Sequence, residues 1–356
     1  MHKRLKLSAA ILACGLLGSG AAAAADNLTF VSFGGAWGAA QKKHMIDPYE
    51  KETGAKILFQ NYTGGTAQIK AQVESGNVLW DVVDFETIDL QRACDDGLLE
   101  TIPRDAIPAG ADGVAAKDDF IQGTFNESPC GISEVVWSIV YAYNKDTVGA
   151  TPPTSIRDVF DTQKIPGKRG LRKKAQINLE WALLADGVPA SDVYKVLATK
   201  EGQDRAFNKL NSIKKDIVWF DSWSQAPGLL NSGSTVMVQS ANGRLSDVIR
   251  HENKPFAIVW DGNVHDLEAL GIVKGSKNKA AALKFVLFAT GTKPLAGMQD
   301  VDYGPVRKSS LALVAPDIAE NLPSKHVAEG LRADSNFWAD FDETLNERFN
   351  QWLLQP

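Results

Sequence analysis

The sequence predicts an α/β fold in two parts. Three observations carry that expectation. The chain has 356 residues, about two domains' worth. Short apolar runs alternate with longer amphipathic ones from Leu28 onward. The pattern then breaks near Pro152 and resumes as a second α/β set.

In order, Leu28 to Phe33 reads as a buried strand closed by Gly34-Gly35-Ala36-Trp37-Gly38, with a helix following through Tyr49 and Glu50. Ala55 to Phe59 is a second strand, followed by a Gly64-Gly65 turn and a helix through Glu74. Trp80 to Asp84 is a third, with a helix from near Asp89 that stops at Gly97. This βαβαβ order implies parallel strands with right-handed crossovers. Trp137 to Tyr143 is an apolar strand. Beyond Pro152, helices are expected over Ala175–Ala185, Asp192–Thr199 and Gln203–Asn211. Strands are expected over Asp216–Trp219, Thr235–Val238, Phe256–Trp260 and Glu268–Val273. A helix from Lys279 to Thr290 and a helical, aromatic stretch from Asn336 to Leu354 complete the chain.

Residues 1–25 read as an export leader rather than as part of the fold. Lys3, Arg4 and Lys6 precede an apolar stretch from Leu7 to Leu17, and Ala21 to Ala25 offers an Ala-x-Ala cleavage site. The apolar run is too short for a membrane anchor. A lipoprotein signal on Cys14 fits poorly, because Leu12 precedes Ala13-Cys14. Removal of the leader takes the balance from 38 basic and 43 acidic residues to 35 and 43, which excludes a basic nucleic-acid footprint. Two cysteines remain, Cys94 and Cys130. In an oxidising compartment they suggest one disulfide, with two buried thiols as the alternative.

No Gly-x-Ser-x-Gly, His-Glu-x-x-His, Walker-type or Gly-x-Gly-x-x-Gly motif is present. The five histidines show no ligand spacing, so neither metal nor cofactor is expected. Weight therefore shifts toward binding. In open α/β sheets, ligands sit beyond the carboxyl ends of the strands. Here those ends carry Ser32, Phe33 and Trp37, then Asp84 and Glu86, and Ser133, Glu134 and Trp137. The second part supplies Trp223, Asn242, Arg244 and Asp261. An indole face holds a cation and a carboxylate neutralises it. The plain alternatives are core packing for each tryptophan and a solvated charge for each acid.

Several stretches resemble the periplasmic solute-binding proteins of ABC importers, in the spermidine/putrescine-type branch. They are Gly34-Gly35-Ala36-Trp37, Trp80-Asp81-Val82-Val83, Cys94 to Glu100, Pro166 to Arg169, Ser240 to Arg244, Lys274 to Lys279 with Ala282 to Phe285, and Tyr303 to Lys308. The resemblance covers nearly the whole mature chain. It implies a type II periplasmic-binding-protein fold with two hinge-connected lobes and a ligand cleft between them. It places lobe 1 at residues 26–142 and 264–300, lobe 2 at 143–263, and a C-terminal helical segment, 301–356, packed on the lobes. It also implies a monomer that docks on permease subunits.

The branch holds terminal amines with an Asp and a Glu three residues later. Alignment puts Lys173 and Gln176 there, within Arg172-Lys173-Lys174-Ala175-Gln176. A cation beside a helix N-terminus suits a carboxylate, and Arg244 suits the same group. The expected ligand therefore carries an amine and an acid, as in a GABA-like or opine-like compound, with a plain polyamine as the alternative. The expected site is Trp37, Glu86, Glu134, Trp137, Lys173, Trp223, Asn242, Arg244, Asp261 and Glu268. Glu86, Glu134, Asp261 and Glu268 are assigned to the amine, and Lys173 and Arg244 to the acid. An exported hydrolase or lyase and a chemoreceptor adaptor remain open. An iron site on Tyr141 and Tyr143 lacks a second tyrosine pair.

Overall fold

The computed structural model describes residues 27–355, so the leader expected over 1–25 lies outside the described residues. Ten strands form one open sheet. They are β1 (Asn27–Ser32), β2 (Lys56–Asn61), β3 (Val82–Glu86), β4 (Gly131–Asn144), β5 (Arg169–Arg172), β6 (Ile217–Phe220), β7 (Met237–Ala241), β8 (Phe256–Ile272), β9 (Gly304–Pro305) and β10 (Leu331–Arg332). The order is β2-β1-β3-β8-β4-β7-β5-β6, with β10 on β8 and β9 on β4. β1 pairs in parallel with β2 and β3, as the βαβαβ reading requires. β5 likewise lies parallel to β6 and β7.

Two lobes share this sheet through β4 and β8, which run antiparallel from Gly131↔Gly271 to Asn144↔Phe256. The two separate strands expected at Phe256–Trp260 and Glu268–Val273 are one strand of 17 residues. The polar stretch between them reads as a turn in sequence, but its polar groups are satisfied inside the sheet. Asn263 Nδ2 donates to the carbonyls of Trp260 and His326, both at 2.9 Å. β10 then pairs alongside Val264 and His265. β4 similarly extends six residues ahead of Trp137 and takes in Glu134. Its ladder with β8 shifts register between Ser133 and Val135 and again between Ile139 and Tyr141. Such irregularities bend a strand locally.

Side chains leave a strand on alternating faces, and each lobe buries both. In the first lobe Phe30 joins Tyr49 and Phe285 on one face, while Val31 joins Tyr62, Trp80 and Phe85 on the other. Asp119 and Arg307 pair at 2.9 Å in this lobe, both essentially without solvent exposure. Where β4 passes toward the second lobe, Ile139 and Tyr141 face Trp181 and Phe207, while Val140 and Ala142 face Phe220 and Leu245. The C-terminal helix, Ser335–Leu354, inserts Trp338, Phe349 and Trp352 into the Trp181 cluster. Asp334 caps it by accepting from the Phe337 amide at 2.9 Å.

Gly34-Gly35 is a steric turn, not a phosphate cradle. Both residues have left-handed φ, 71° and 62°, which glycine alone adopts freely. A Cβ on Gly34 would lie 2.6 Å from the Asn61 side chain. The helical run that follows carries a π-helical turn at Lys42–Ile46. Cys94, in the helix Thr87–Asp95, is disulfide-bonded to Cys130, the residue ahead of β4.

Candidate functional site

Three neighbouring strands bring four acids together where the lobes meet. β3 ends on Asp84 and Glu86, which leave the strand on the same side because they are two residues apart. Glu268 of β8 pairs directly opposite Glu86. Glu134 lies in β4, one residue before the Val135 that pairs with Glu268.

Asp84 is wholly buried and organises the wall of the cleft. Its Oδ2 accepts from Ser32 Oγ at 2.7 Å, Trp37 Nε1 at 2.7 Å and Gln41 Nε2 at 2.9 Å. The same Gln41 amide makes a longer contact, 3.5 Å, to Glu134 Oε1. Burial pushes the Asp84 carboxyl up, against the pull of hydrogen bonds from Glu134, Ser32, Trp37 and Gln41. Burial and the Asp84 charge hold Glu134 well above the carboxylate range. Two buried acids this close do not both ionise. Trp37 is thereby fixed at the cleft wall, where its ring lies 5.0 Å from that of Tyr303.

Glu86 is pushed up to about 7 by burial and by Asp266, Asp89 and Asp84, with Arg172 opposing. Asp266 is pushed up to about 6, mainly by burial. Glu268 is raised well above its ordinary value by burial and by its acidic neighbours. Its Oε2 is buried without a hydrogen-bond partner among the described residues. Unpartnered buried acceptors of this kind are costly.

The second lobe presents cations. Arg172 ends β5, and its guanidinium lies 4.7 Å from the centre of the Trp223 ring. Arg244 projects from the helix Asn242–His251, exposed and without a hydrogen bond or ion pair among the described residues.

Two adjoining cavities occupy the interlobe cleft and share Glu86. One, of about 540 Å³, is lined by Phe33, Trp37, Glu86, Arg244, Glu268 and Tyr303 among others. The other, of about 500 Å³, is lined by Glu86, Trp137, Arg172, Trp223, Asp266 and Trp338 among others. Both volumes fall within the range of small-molecule sites, roughly 300–1,000 Å³.

Of the expected residues, Trp37, Glu86, Trp137, Trp223, Arg244 and Glu268 line these cavities. The other four do not. Glu134 sits behind the wall, beyond Gln41. Lys173 is exposed and lines neither cavity, while Arg172 and Lys174 on either side line the second. Asn242 is a tie: its Oδ1 accepts from the Ser138 amide at 3.0 Å and its Nδ2 donates to the Asp302 carbonyl at 2.6 Å. Asp261 accepts from the Ile156 amide at 2.8 Å and so anchors a turn of the second lobe. Arg172, Asp266 and Tyr303 enter the lining unanticipated. Arg172 lies within the basic stretch Arg172 to Gln176, Asp266 lies two residues before Glu268, and Tyr303 opens the family-like stretch Tyr303 to Lys308, so each was within reach of the sequence without being assigned to the site.

A two-lobed α/β sheet with an acid-walled cleft, crossed by two long strands, is the build of a solute-binding protein. Residues 44–323 match the model of the bacterial extracellular solute-binding proteins, and the chain belongs to that family. A gamma-aminobutyric acid-binding protein of Pseudomonas aeruginosa is 43% identical over 338 residues, covering 94% of this chain and 93% of the relative. The spermidine/putrescine-binding periplasmic protein of Escherichia coli is 23% identical over 337 residues, 89% of each chain. Among solved structures, a GABA receptor superposes with a TM-score of 0.78 at 33% identity, over 93% of this chain and 98% of that one. A glucopine-bound protein of Agrobacterium tumefaciens superposes at 0.74 and 28% identity, over 92% and 100%.

Proposed function

We propose that the protein captures a zwitterionic ω-amino acid of the GABA class in the periplasm and hands it to the permease of an ABC importer. One observation carries the reading. A single cavity is lined by Arg244 of one lobe, which has no hydrogen bond or ion pair among the described residues, and by Glu86 and Glu268 of the other. The ligand amine sits at Glu86 and Glu268, and its carboxylate at Arg244, where a bidentate grip is available. Trp37 and Tyr303 flank the methylene chain. The GABA-binding relative and the GABA receptor support the assignment.

The division into lobes at 26–142 with 264–300 and at 143–263 belongs to the same proposal, with the crossings inside β4 and β8. Contacts to both lobes stabilise the closed form, and only that difference in binding drives closure. The leader at 1–25, a monomeric state and binding without turnover complete the reading.

Titration calorimetry and thermal shift on residues 26 onward test it, with GABA, putrescine and spermidine as probes. GABA at a hundredfold over its dissociation constant should stabilise the fold by about 2.7 kcal/mol. Arg244→Ala should weaken GABA binding at least tenfold. A putrescine shift exceeding that of GABA overturns the assignment of Arg244.

A further inference from the structure

The second compartment has what an ammonium group needs, yet a cation already occupies it. Trp137, Trp223 and Trp338 line it together with Glu86 and Asp266. Tryptophan faces with nearby carboxylates recognise alkylammonium groups. The Trp223 face, however, is covered by Arg172, 4.7 Å from the ring centre. Among the described residues the Arg172 side chain makes one hydrogen bond, Nε donating to the Asp221 carbonyl at 3.3 Å. Its charge also acts on Glu86, opposing the acids that raise it. The chain's own guanidinium thus fills the indole site and weakens the field of the carboxylate on which an amine would lodge.

We propose that Arg172 determines specificity by standing in for a second ammonium group, so that the cleft admits ligands with one amine and rejects diamines. The proposal rests on the reading above, in which the single ligand amine sits at Glu86 and the acid at Arg244. A diamine bound there would place its second ammonium in the compartment beyond Glu86, against a fixed like charge and on an indole already covered. Such repulsion is a recognised route to specificity. A monoamine leaves the compartment to water.

The test compares the full mature chain with its Arg172→Gln and Arg172→Lys variants, using GABA and putrescine in calorimetry. Melting temperatures check that each variant is folded. In Arg172→Gln, putrescine affinity should rise at least tenfold relative to GABA affinity, whatever common shift the altered field at Glu86 gives to both. Arg172→Lys keeps the charge and should still reject putrescine. The proposal is overturned if putrescine affinity relative to GABA affinity stays unchanged in Arg172→Gln, or if Arg172→Lys gains as much as Arg172→Gln. Wild-type protein that binds putrescine more tightly than GABA, or binds neither, instead defeats the zwitterion reading, and this proposal with it.

Discussion

Capture of an amine at Glu86 should release a proton below neutral pH. In the free protein Glu86 is held up to about 7 by burial and by the acids Asp266, Asp89 and Asp84. The ligand ammonium, with a pKa near 10, stays charged throughout and favours the ionised form. At pH 5, therefore, binding must first ionise a group two units below its midpoint. That costs about 2.7 kcal/mol, or about a hundredfold in affinity relative to pH 8. Asp266, held up to about 6, titrates with Glu86 and adds to the loss at the acid end. Calorimetry with GABA at pH 5, 6, 7 and 8 gives the slope. Repeating the pH 6 titration in two buffers of different ionisation heat counts the protons, and about 0.9 per ligand should leave. Glu86→Gln should bind more weakly and lose most of the slope. Affinity constant within threefold from pH 5 to 8, with no proton released, would refute the placement of the amine.

The same groups set the stability of the ligand-free protein. Unfolded carboxyls lose their protons near pH 4.5, whereas folded Glu86 and Glu180 keep theirs to about 7 and Asp266 to about 6. The folded state binds more protons across that window, so stability falls as pH rises from about 4.5 to 7, offset in part by His265, which burial holds down to about 4. The melting temperature should be higher at pH 5.5 than at pH 8. Trp37→Phe removes one of three donors to Asp84 Oδ2 and should cost about 1–3 kcal/mol in denaturant unfolding. Arg307→Met leaves the Asp119 charge buried without its partner and should cost about 3–5 kcal/mol. An unchanged urea midpoint would show that Asp119 is solvated in the native state.

The strand alternation in both lobes was legible because a buried strand must be an apolar run. The continuity of β8 was not, because Asn263 and Asp266 look like turn residues until their partners are known: Asn263 donates to the Trp260 and His326 carbonyls, and Asp266 accepts from the Leu267 amide. The acids of the site were legible by type and less so by position. Asp261 and Glu268 both stand in or beside apolar runs, yet one anchors a backbone turn and the other faces the cleft. Lys173 and Arg172 show the limit most plainly. A strand that ends one residue earlier or later exchanges which neighbour faces the ligand, and strand ends are the least determined feature of a sequence.

The wiring of the two cores also fixes when each can form during synthesis. The first lobe's cluster needs Phe285 and Val306, long after its own first strand has been made. The second lobe's cluster needs Trp338, Phe349 and Trp352, so its Trp181 and Phe207 face stays bare until the last residues emerge. Neither of these two clusters is complete before the chain passes Val306, although the clusters on the opposite sheet faces need nothing beyond Val273 and Trp260. Each of these two clusters thus joins an early strand to a late segment, so the fold is complete only when both ends of the chain are in place.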